Sequence, residues 1–346
     1  MIEQQTRTFL DATTVLPDKA RFFYGEPFAR EAMRDLLDQA GPEWALDLLL
    51  NHGTMLVKAE AVALRAVERI EDRLRAAGFT PVAAVPVRLD RMMIRLLWLY
   101  VLNGATLERL DLLDLFKPAA VSIMLVCRDE RREQGSLPAA VRLQRLKGPT
   151  MPAQRQPGQI RYRLGPDNRL LNFVHAADEP ADVLRELGLL FDRAGRRTII
   201  AQLLGGQDAG GALQLVREHA YADTPAYDLE PEPALARLRH AVARLVSPDI
   251  AALALPHLDG LLTRAPADAE RAWRQLHAVL WPYAQQLGIW DYVVVGSSVC
   301  EHDPAGAIRT LPDPVHGRWD EAWLQRSAAD ARRARGAFGD HGTEDA

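Results

Sequence analysis

Cysteine and lysine are both scarce in this chain of 346 residues. Cys127 and Cys300 are its two cysteines, too few for a disulfide framework or a cysteine-based zinc site, which fits a reducing compartment. Arginine accounts for 38 of the 42 basic residues. The formal net charge is −4 and the isoelectric point is near 6.2, so nothing attracts the whole chain to nucleic acid or to an anionic membrane. Any anion site must therefore be local.

Long apolar runs are absent as well. No stretch reaches the roughly 18 uncharged apolar residues of a spanning helix, and the first residues lack the basic start and apolar run of a secretory signal. The composition, 48% hydrophobic and 25% charged, is that of a soluble globular protein. We therefore expect a cytoplasmic protein that binds neither membrane nor nucleic acid.

The first half of the chain alternates between strand-like and helix-like segments after residue 50. Strands are expected at residues 54–58, 80–89 and 119–127 and just before His175, and helices at 60–76, 90–101, 106–115 and 137–146. Pro81 and Pro86 indicate that the second strand is an edge strand or contains a bulge. This order predicts an α/β fold with helices packed on one sheet.

The chain changes character after about residue 197, where amphipathic helical patterns dominate. Residues 290–299, with three consecutive valines, are the exception and predict an isolated strand. We therefore expect three parts: an N-terminal extension at 1–50, an α/β domain at 51–195 and a helical accessory domain at 196–346.

One loop combines features that suit phosphate binding. Residues 147–169 carry five basic residues, a threonine and several glycine or proline turns, so arginines and backbone N–H groups can face an anion. The P-loop pattern GxxxxGK[ST] is absent. His175 follows at the end of a short apolar strand, and a helix carrying Glu186 comes after it.

Three motifs in this region resemble those of the nucleoside diphosphate kinase family. The stretch GPTMPAQRQPGQIRYRLG, the later NFVHAAD and the upstream MLVKAEA are similar, in the same order, to G-x-T-N-P with P-G-T-I-R-G-D, to R-N-x-x-H-G-S-D and to a strand ending in K-P-D. The resemblance covers about residues 51–195. It implies a ferredoxin-like βαββαβ antiparallel sheet with helices on it, and a nucleotide-dependent phosphotransferase.

The resemblance also implies roles for individual residues. His175 would carry the γ-phosphoryl group of a nucleoside triphosphate to an acceptor, and Glu186 would bond the other ring nitrogen. The implied phosphate- and nucleotide-binding residues are Lys58, Thr150, Arg161 and Asn172, with Arg145 beside the position of a second arginine. The nearest nucleobase candidates by residue type are Trp98, Tyr100 and Arg109. Mg²⁺ would arrive with ATP or another nucleoside triphosphate, with no protein metal site.

These residue types suit the chemistry on their own terms. An unprotonated imidazole nitrogen is nucleophilic near neutral pH, and a carboxylate on the other nitrogen fixes the tautomer and stabilises the charged ring. A loose phosphoryl-transfer transition state needs positioning and positive charge, which Lys58, Arg161 and a metal ion can supply.

The chain also departs from the family pattern. Ala176 and Ala177 stand where the family has glycine and serine, and the nucleobase clamp has no convincing match. Two other hypotheses therefore stay open: a kinase for a specialised non-nucleotide or modified-nucleotide acceptor, and a nucleotide-binding regulatory or assembly domain without turnover. The expected partners are a nucleotide and a small-molecule acceptor. Whether the chain forms a homo-oligomer, as the family does, stays open too.

Overall fold

The computed structural model describes residues 8–133, 137–312 and residue 319. Its strands are β1 (His52–Val57), β2 (Phe79–Val87), β3 (Ser122–Asp129) and β4 (Val174–Ala176). The helices before β4 are α1 (Pro17–Gly25), α2 (Pro27–Ala40), α3 (Pro42–Asn51), α4 (Ala59–Ala63), α5 (Val67–Ala76), α6 (Arg91–Leu97), α7 (Leu99–Leu102), α8 (Leu107–Phe116) and α9 (Ala139–Lys147). The helices after it are α10 (Pro180–Leu190), α11 (Arg193–Gly205), α12 (Gly210–Asp223), α13 (Pro231–Leu245), α14 (Pro248–Leu258), α15 (Pro266–Leu280) and α16 (Ile289–Val299).

The four strands form one antiparallel sheet in the order β2-β3-β1-β4. β2 is an edge strand and its pairing with β3 shifts register between Pro81 and Ala83, as the prolines predicted. β1 is buried along its whole length because helices cover both faces of the sheet. The predicted ferredoxin-like fold and the mostly helical C-terminal region are confirmed.

The strand predicted at residues 290–299 is wrong, because this segment forms helix α16. Its valines favour a strand locally, but Tyr292 and Val293 to Val295 are fully buried among other helices. A Cβ on Gly296 would lie 2.3 Å from the Trp273 ring, so the glycine permits this close packing. Tertiary packing therefore overrides the local β preference.

The single helix predicted at residues 60–76 is divided into α4 and α5. Arg65, in the interruption, has a φ of 57° and donates hydrogen bonds to the carbonyls of Tyr221 and Thr224, at 3.0 and 2.5 Å. A contact with the C-terminal region therefore ends the first helix. Among the described residues no helix is both long and apolar enough to cross a bilayer.

Helix α10 packs closely against α2 of the N-terminal extension. Gly188 makes this possible, since a Cβ there would lie 2.0 Å from the carbonyl oxygen of Phe28. The contact involves backbone and cannot be relieved by rotating a side chain. The N-terminal extension is therefore part of the same core as the sheet's helices.

We expect Gly188→Ala to lower the free energy of unfolding by about 2 kcal/mol or more, because the methyl group must push α2 away from α10. Gly205→Ala is the matched control: it also lies in a helix, and nothing surrounds its Cβ position within 4 Å. That variant should gain about 0.5 kcal/mol from reduced chain entropy. Urea unfolding of both variants measures the difference, and equal stabilities would contradict the packing argument.

Candidate active site

A strained turn precedes the histidine of β4. Phe173 is fully buried with a φ of 67°, a left-handed conformation that costs a residue other than glycine about 1–3 kcal/mol. The backbone N–H of Lys58 donates to its carbonyl at 2.9 Å, and its own N–H donates to Glu60 Oε1 at 3.2 Å. Surrounding polar groups therefore hold the turn that leads into His175.

His175, Glu186 and Thr54 form a chain of hydrogen bonds across three elements. His175 Nε2 lies 2.7 Å from Glu186 Oε1, and the Thr54 hydroxyl donates to Glu186 Oε2 at 2.5 Å. Thr54 is fully buried in β1 and Glu186 is 3% exposed in α10. Each carboxylate oxygen therefore has one partner, and the orientation of Glu186 is fixed.

The second ring nitrogen of His175 contacts Trp98. The indole Nε1 donates to His175 Nδ1 over 3.3 Å, and the rings meet edge to face with centroids 5.7 Å apart. An indole N–H can only donate, so Nδ1 carries a lone pair and Nε2 carries the proton that Glu186 accepts. The hydrogen-bond network thus assigns the tautomer and leaves Nδ1 as the nucleophilic nitrogen.

A buried cluster of two lysines and one carboxylate lies beside the turn. Lys58 Nζ is 2.7 Å from Glu60 Oε1, and Lys117 Nζ is 3.0 Å from Glu60 Oε2. Burial lowers the pKa of Lys58 well below its usual value, although Glu60 opposes this, and burial lowers the pKa of Lys117 too. For Glu60 burial alone would raise the pKa, but Lys117 and Lys58 outweigh it and lower the pKa to about 2.

Arg161 is a third cation beside this cluster, and unlike the two lysines it has no carboxylate partner among the described residues. Its five N–H groups all donate to protein acceptors: three backbone carbonyls, Asn172 Oδ1 at 2.9 Å and Thr150 Oγ1 at 3.3 Å. Burial, and then Arg155, lower the pKa of Arg161 to about 9. Within the described residues no carboxylate oxygen lies within ion-pair distance of this guanidinium. The cluster of Lys58, Glu60, Lys117 and Arg161 therefore carries an excess of positive charge.

The other two lysines are buried near the same place. Lys147 donates to the carbonyl of Ala176, the last residue of β4, and to Asp178, both at 3.3 Å. Lys19, from the N-terminal extension, lies 2.7 Å from both Glu179 and Asp182. All four lysines of the chain are thus less than a tenth exposed and lie around the candidate site.

The structure brings most of the predicted site residues together. Asn172 Oδ1 accepts from Lys58 Nζ at 2.5 Å as well as from Arg161. The remaining predictions lie elsewhere or face other partners: Arg145 is exposed on α9, the Tyr100 hydroxyl donates to Glu26, and Arg109 pairs with Asp303. No nucleobase clamp is formed by these contacts.

Sequence reasoning missed Thr54, Lys117 and Lys147. Thr54 and Lys117 lie on elements far along the chain from their partners, so no local spacing identifies them. The scarcity of lysine was a usable signal, because a chain that uses arginine almost everywhere keeps lysine at four buried positions. Ala177, at the position where the family pattern has a serine, is fully buried, and Glu186 accepts from the Thr54 hydroxyl.

A cavity of about 70 Å³ adjoins His175. Its walls include Trp98, Tyr100 and Asp182, together with Lys19 from the N-terminal extension and Leu311 from beyond the helical region. It is far smaller than the roughly 300–1,000 Å³ of sites that enclose a whole cofactor-sized ligand. No three histidine, cysteine, aspartate or glutamate side chains among the described residues are arranged to hold a metal ion.

The sheet and the sequence pattern of residues 51–195 are those of a nucleotide phosphotransferase family. In particular, residues 51–195 match the family model described as nucleoside diphosphate kinase, which confirms the predicted nucleoside-diphosphate-kinase-like domain. The match covers less than half of the chain. No curated protein matches the sequence.

Several solved structures are similar to part of the chain. The nucleoside diphosphate kinase from Encephalitozoon cuniculi is 18% identical, with 40% of this chain and 87% of that chain covered and a TM-score of 0.35. The Aquifex aeolicus nucleoside diphosphate kinase is 23% identical; 41% of this chain and 95% of that chain are covered, and the TM-score is 0.34. A nucleoside diphosphate kinase family protein from Babesia bovis is 22% identical; 42% of this chain and 90% of that chain are covered, and the TM-score is 0.35.

We expect Glu60→Gln to lower the free energy of unfolding at neutral pH by about 3 kcal/mol, because Lys58 and Lys117 lose their shared carboxylate in a buried place. Folding lowers the pKa of Glu60 to about 2, so its contribution is present above the usual carboxyl pKa and is lost as the pH falls toward 2. Urea unfolding between about pH 7 and about pH 3 should show the free energies of unfolding of the wild type and Glu60→Gln becoming more similar as the pH falls.

Glu270→Gln provides the control, because Glu270 pairs with Arg274 on a solvent-facing part of α15. This variant should change the free energy of unfolding by less than about 0.5 kcal/mol at every pH. A similar loss in both variants would contradict a special role for the buried cluster.

Proposed function

We propose that this protein transfers the γ-phosphoryl group of a nucleoside triphosphate through phosphohistidine at His175. The observation that carries this proposal is the buried excess of positive charge, Lys58, Lys117 and Arg161 against Glu60, in the same domain as a histidine with a defined nucleophilic nitrogen. Buried cations without counter-ions are costly, so the site favours an incoming anion. Phosphate groups are the anions that fit both the charge and the histidine.

The transfer step follows from the tautomer of His175. The Nδ1 lone pair attacks the γ-phosphorus, a nitrogen–phosphorus bond forms, and the bond to the bridging oxygen breaks. The leaving nucleoside diphosphate keeps the electron pair. The ring gains positive charge while Nε2 keeps its proton, and Glu186 at 2.7 Å stabilises that charge. Transfer from Nδ1 to an acceptor oxygen reverses these steps.

The cations divide into direct and indirect roles in this proposal. Lys58 donates to Asn172 Oδ1 at 2.5 Å and pairs with Glu60, and in this proposal it is the cation that faces phosphate directly. Arg161 has all five donors occupied, so it acts through its charge and by holding Thr150 and Asn172. Positive charge fixed in a dry site stabilises a loose phosphoryl-transfer transition state.

Mg²⁺ enters in this proposal as part of the substrate, bound to the triphosphate. The magnesium ion prefers few protein carboxylates and keeps waters and phosphate oxygens as ligands. The excess of positive charge in the cluster of Lys58, Glu60, Lys117 and Arg161 fits such a complex, whose phosphates still carry net negative charge. The chain's own part is to bind and orient the phosphates.

The acceptor is either a nucleoside diphosphate or a specialised phosphorylated compound. The altered residues after His175 and the small cavity beside it favour a specialised acceptor. The second candidate is a regulatory domain that binds nucleotide without turnover, which the contact of Trp98 with Nδ1 favours. In either case we propose that residues 51–195 form the catalytic or nucleotide-binding unit, with 1–50 and 196–346 as accessory parts.

We expect incubation with γ-labelled ATP and Mg²⁺ to give an acid-labile adduct that is absent from His175→Ala. The matched control is His219→Ala, since His219 is 71% exposed on α12, where its ion pair joins residues of one helix. Chasing the adduct with diphosphates and phosphorylated metabolites identifies the acceptor. Binding of ATP without any adduct would favour the regulatory candidate over turnover.

Thr54 is a positioning residue in this mechanism, because it acts through Glu186. We expect Thr54→Val to slow adduct formation at saturating ATP by about tenfold to a hundredfold, the effect of losing one hydrogen bond to a charged group. The affinity for ATP should stay unchanged, and Thr54→Ser should restore the rate because it keeps the hydroxyl. A slow serine variant, or a loss confined to ATP affinity, would contradict the role.

A further inference from the structure

The nucleophilic nitrogen of His175 is covered by another side chain. The Trp98 indole N–H points at the Nδ1 lone pair over 3.3 Å. A phosphorus atom has to approach along the same lone pair, so it cannot reach Nδ1 while the indole stays there. If His175 carries phosphate as proposed above, Trp98 has to leave this position first.

Trp98 lies at the junction of two short helices. It stands alone between the last residue of α6 and the first residue of α7, and its φ of −111° and ψ of 28° are not helical. Arg185 of α10 donates to the carbonyls of Leu96 and Leu97, at 2.7 and 3.3 Å, and fixes the end of α6. The C-terminal end of α7 is held by hydrogen bonds to a different segment.

That segment is the strap, defined here as residues 300–312 after α16. Asn103 Nδ2 donates to the carbonyl of Ile308 at 2.8 Å, and the N–H of Thr310 donates to Asn103 Oδ1 at 3.2 Å. Thr106 Oγ1 donates to the carbonyl of Glu301 at 2.6 Å. The N–H of Leu311 also donates to the carbonyl of Tyr100 at 3.5 Å, so the strap runs along α7 and the turn that follows it.

An ionic anchor ties the strap to the α/β domain. Asp303 accepts from Arg109 of α8 through one carboxylate oxygen and from Arg169, close before β4, through the other. Asp303 is 24% exposed, Arg109 13% and Arg169 28%, so the three groups are only partly screened by water. At its far end the strap reaches the cavity, where Leu311 and Pro312 form part of the wall.

We propose that Trp98 determines access to His175 and that the strap, anchored at Asp303, holds Trp98 in place. The proposal rests on the proposed role of His175 as a phosphoryl carrier, and it explains why the cavity beside His175 is only about 70 Å³. A phosphoryl donor gains access when the α6–α7 junction moves away. The C-terminal part of the chain thereby controls the rate at which His175 is modified.

Phosphoramidate tests this directly, because it phosphorylates accessible histidines without a nucleotide. Trp98→Phe removes the N–H that covers Nδ1 and keeps an aromatic ring, and Asp303→Asn weakens the anchor. We expect each variant to be labelled at His175 about tenfold faster than the wild type, the factor of one net hydrogen bond that no longer has to break. Peptide mapping of the acid-labile adduct measures the rate.

Two matched controls change the same residue types elsewhere. Trp44→Phe alters a tryptophan that is 65% exposed, and Asp259→Asn alters an aspartate paired with Arg239 in the helical region. Both should be labelled at the wild-type rate. Wild-type rates in both Trp98→Phe and Asp303→Asn would overturn the inference, and so would equal acceleration in the controls.

The outcomes separate this inference from the proposed function. If phosphoramidate labels the two variants faster but γ-labelled ATP labels none of the proteins, the access role stands and the proposed function fails. If ATP labels His175 and both variants react with either reagent at the wild-type rate, the proposed function stands and the access role fails. Circular dichroism checks that each variant is folded. If Trp98→Phe does not fold, the labelling rate of Asp303→Asn still tests the inference.

Discussion

Buried positive charge beside the histidine strand is the constraint on which the rest of the site depends. Lys58 and Lys117 share one carboxylate, and Arg161 has none within ion-pair distance among the described residues. Water cannot solvate these groups, so each cation must donate hydrogen bonds to protein acceptors. Lys58 and Arg161 fix the side chain of Asn172, and Glu60, which pairs with both lysines, also accepts from the backbone N–H of the strained Phe173. A costly charge arrangement and a costly backbone conformation therefore hold each other in place.

Helix α10, which carries Glu186, is held by segments outside residues 51–195. At its start Glu179 accepts from the Thr14 hydroxyl at 2.5 Å, from the Val15 N–H at 2.9 Å and from the Trp319 indole at 2.9 Å. Arg185 is tied to the N-terminal extension through Glu26 at 2.6 Å. Residues before and after the family-like domain therefore help to orient the carboxylate that bonds His175. This makes them part of the site's construction rather than separate attachments.

Local sequence patterns were sufficient for the sheet and for the region of the site. Apolar runs and the helix stops between them predicted all four strands, because burial of a strand is visible in a few consecutive residues. They were wrong at residues 290–299, where surrounding helices decide the conformation, and incomplete at residues 60–76. The break there depends on Arg65 bonds to carbonyls more than 150 residues away, which no local window contains.

The sequence by itself determined that residues 51–195 resemble a nucleoside diphosphate kinase domain, because the order and spacing of its motifs are enough to match that family. Only the tertiary structure decided what completes the site. Thr54 and Trp98 reach opposite ends of the Glu186–His175 pair from two other elements. Hydrogen bonds between such distant segments depend on how layers pack, and no spacing rule along the chain specifies them.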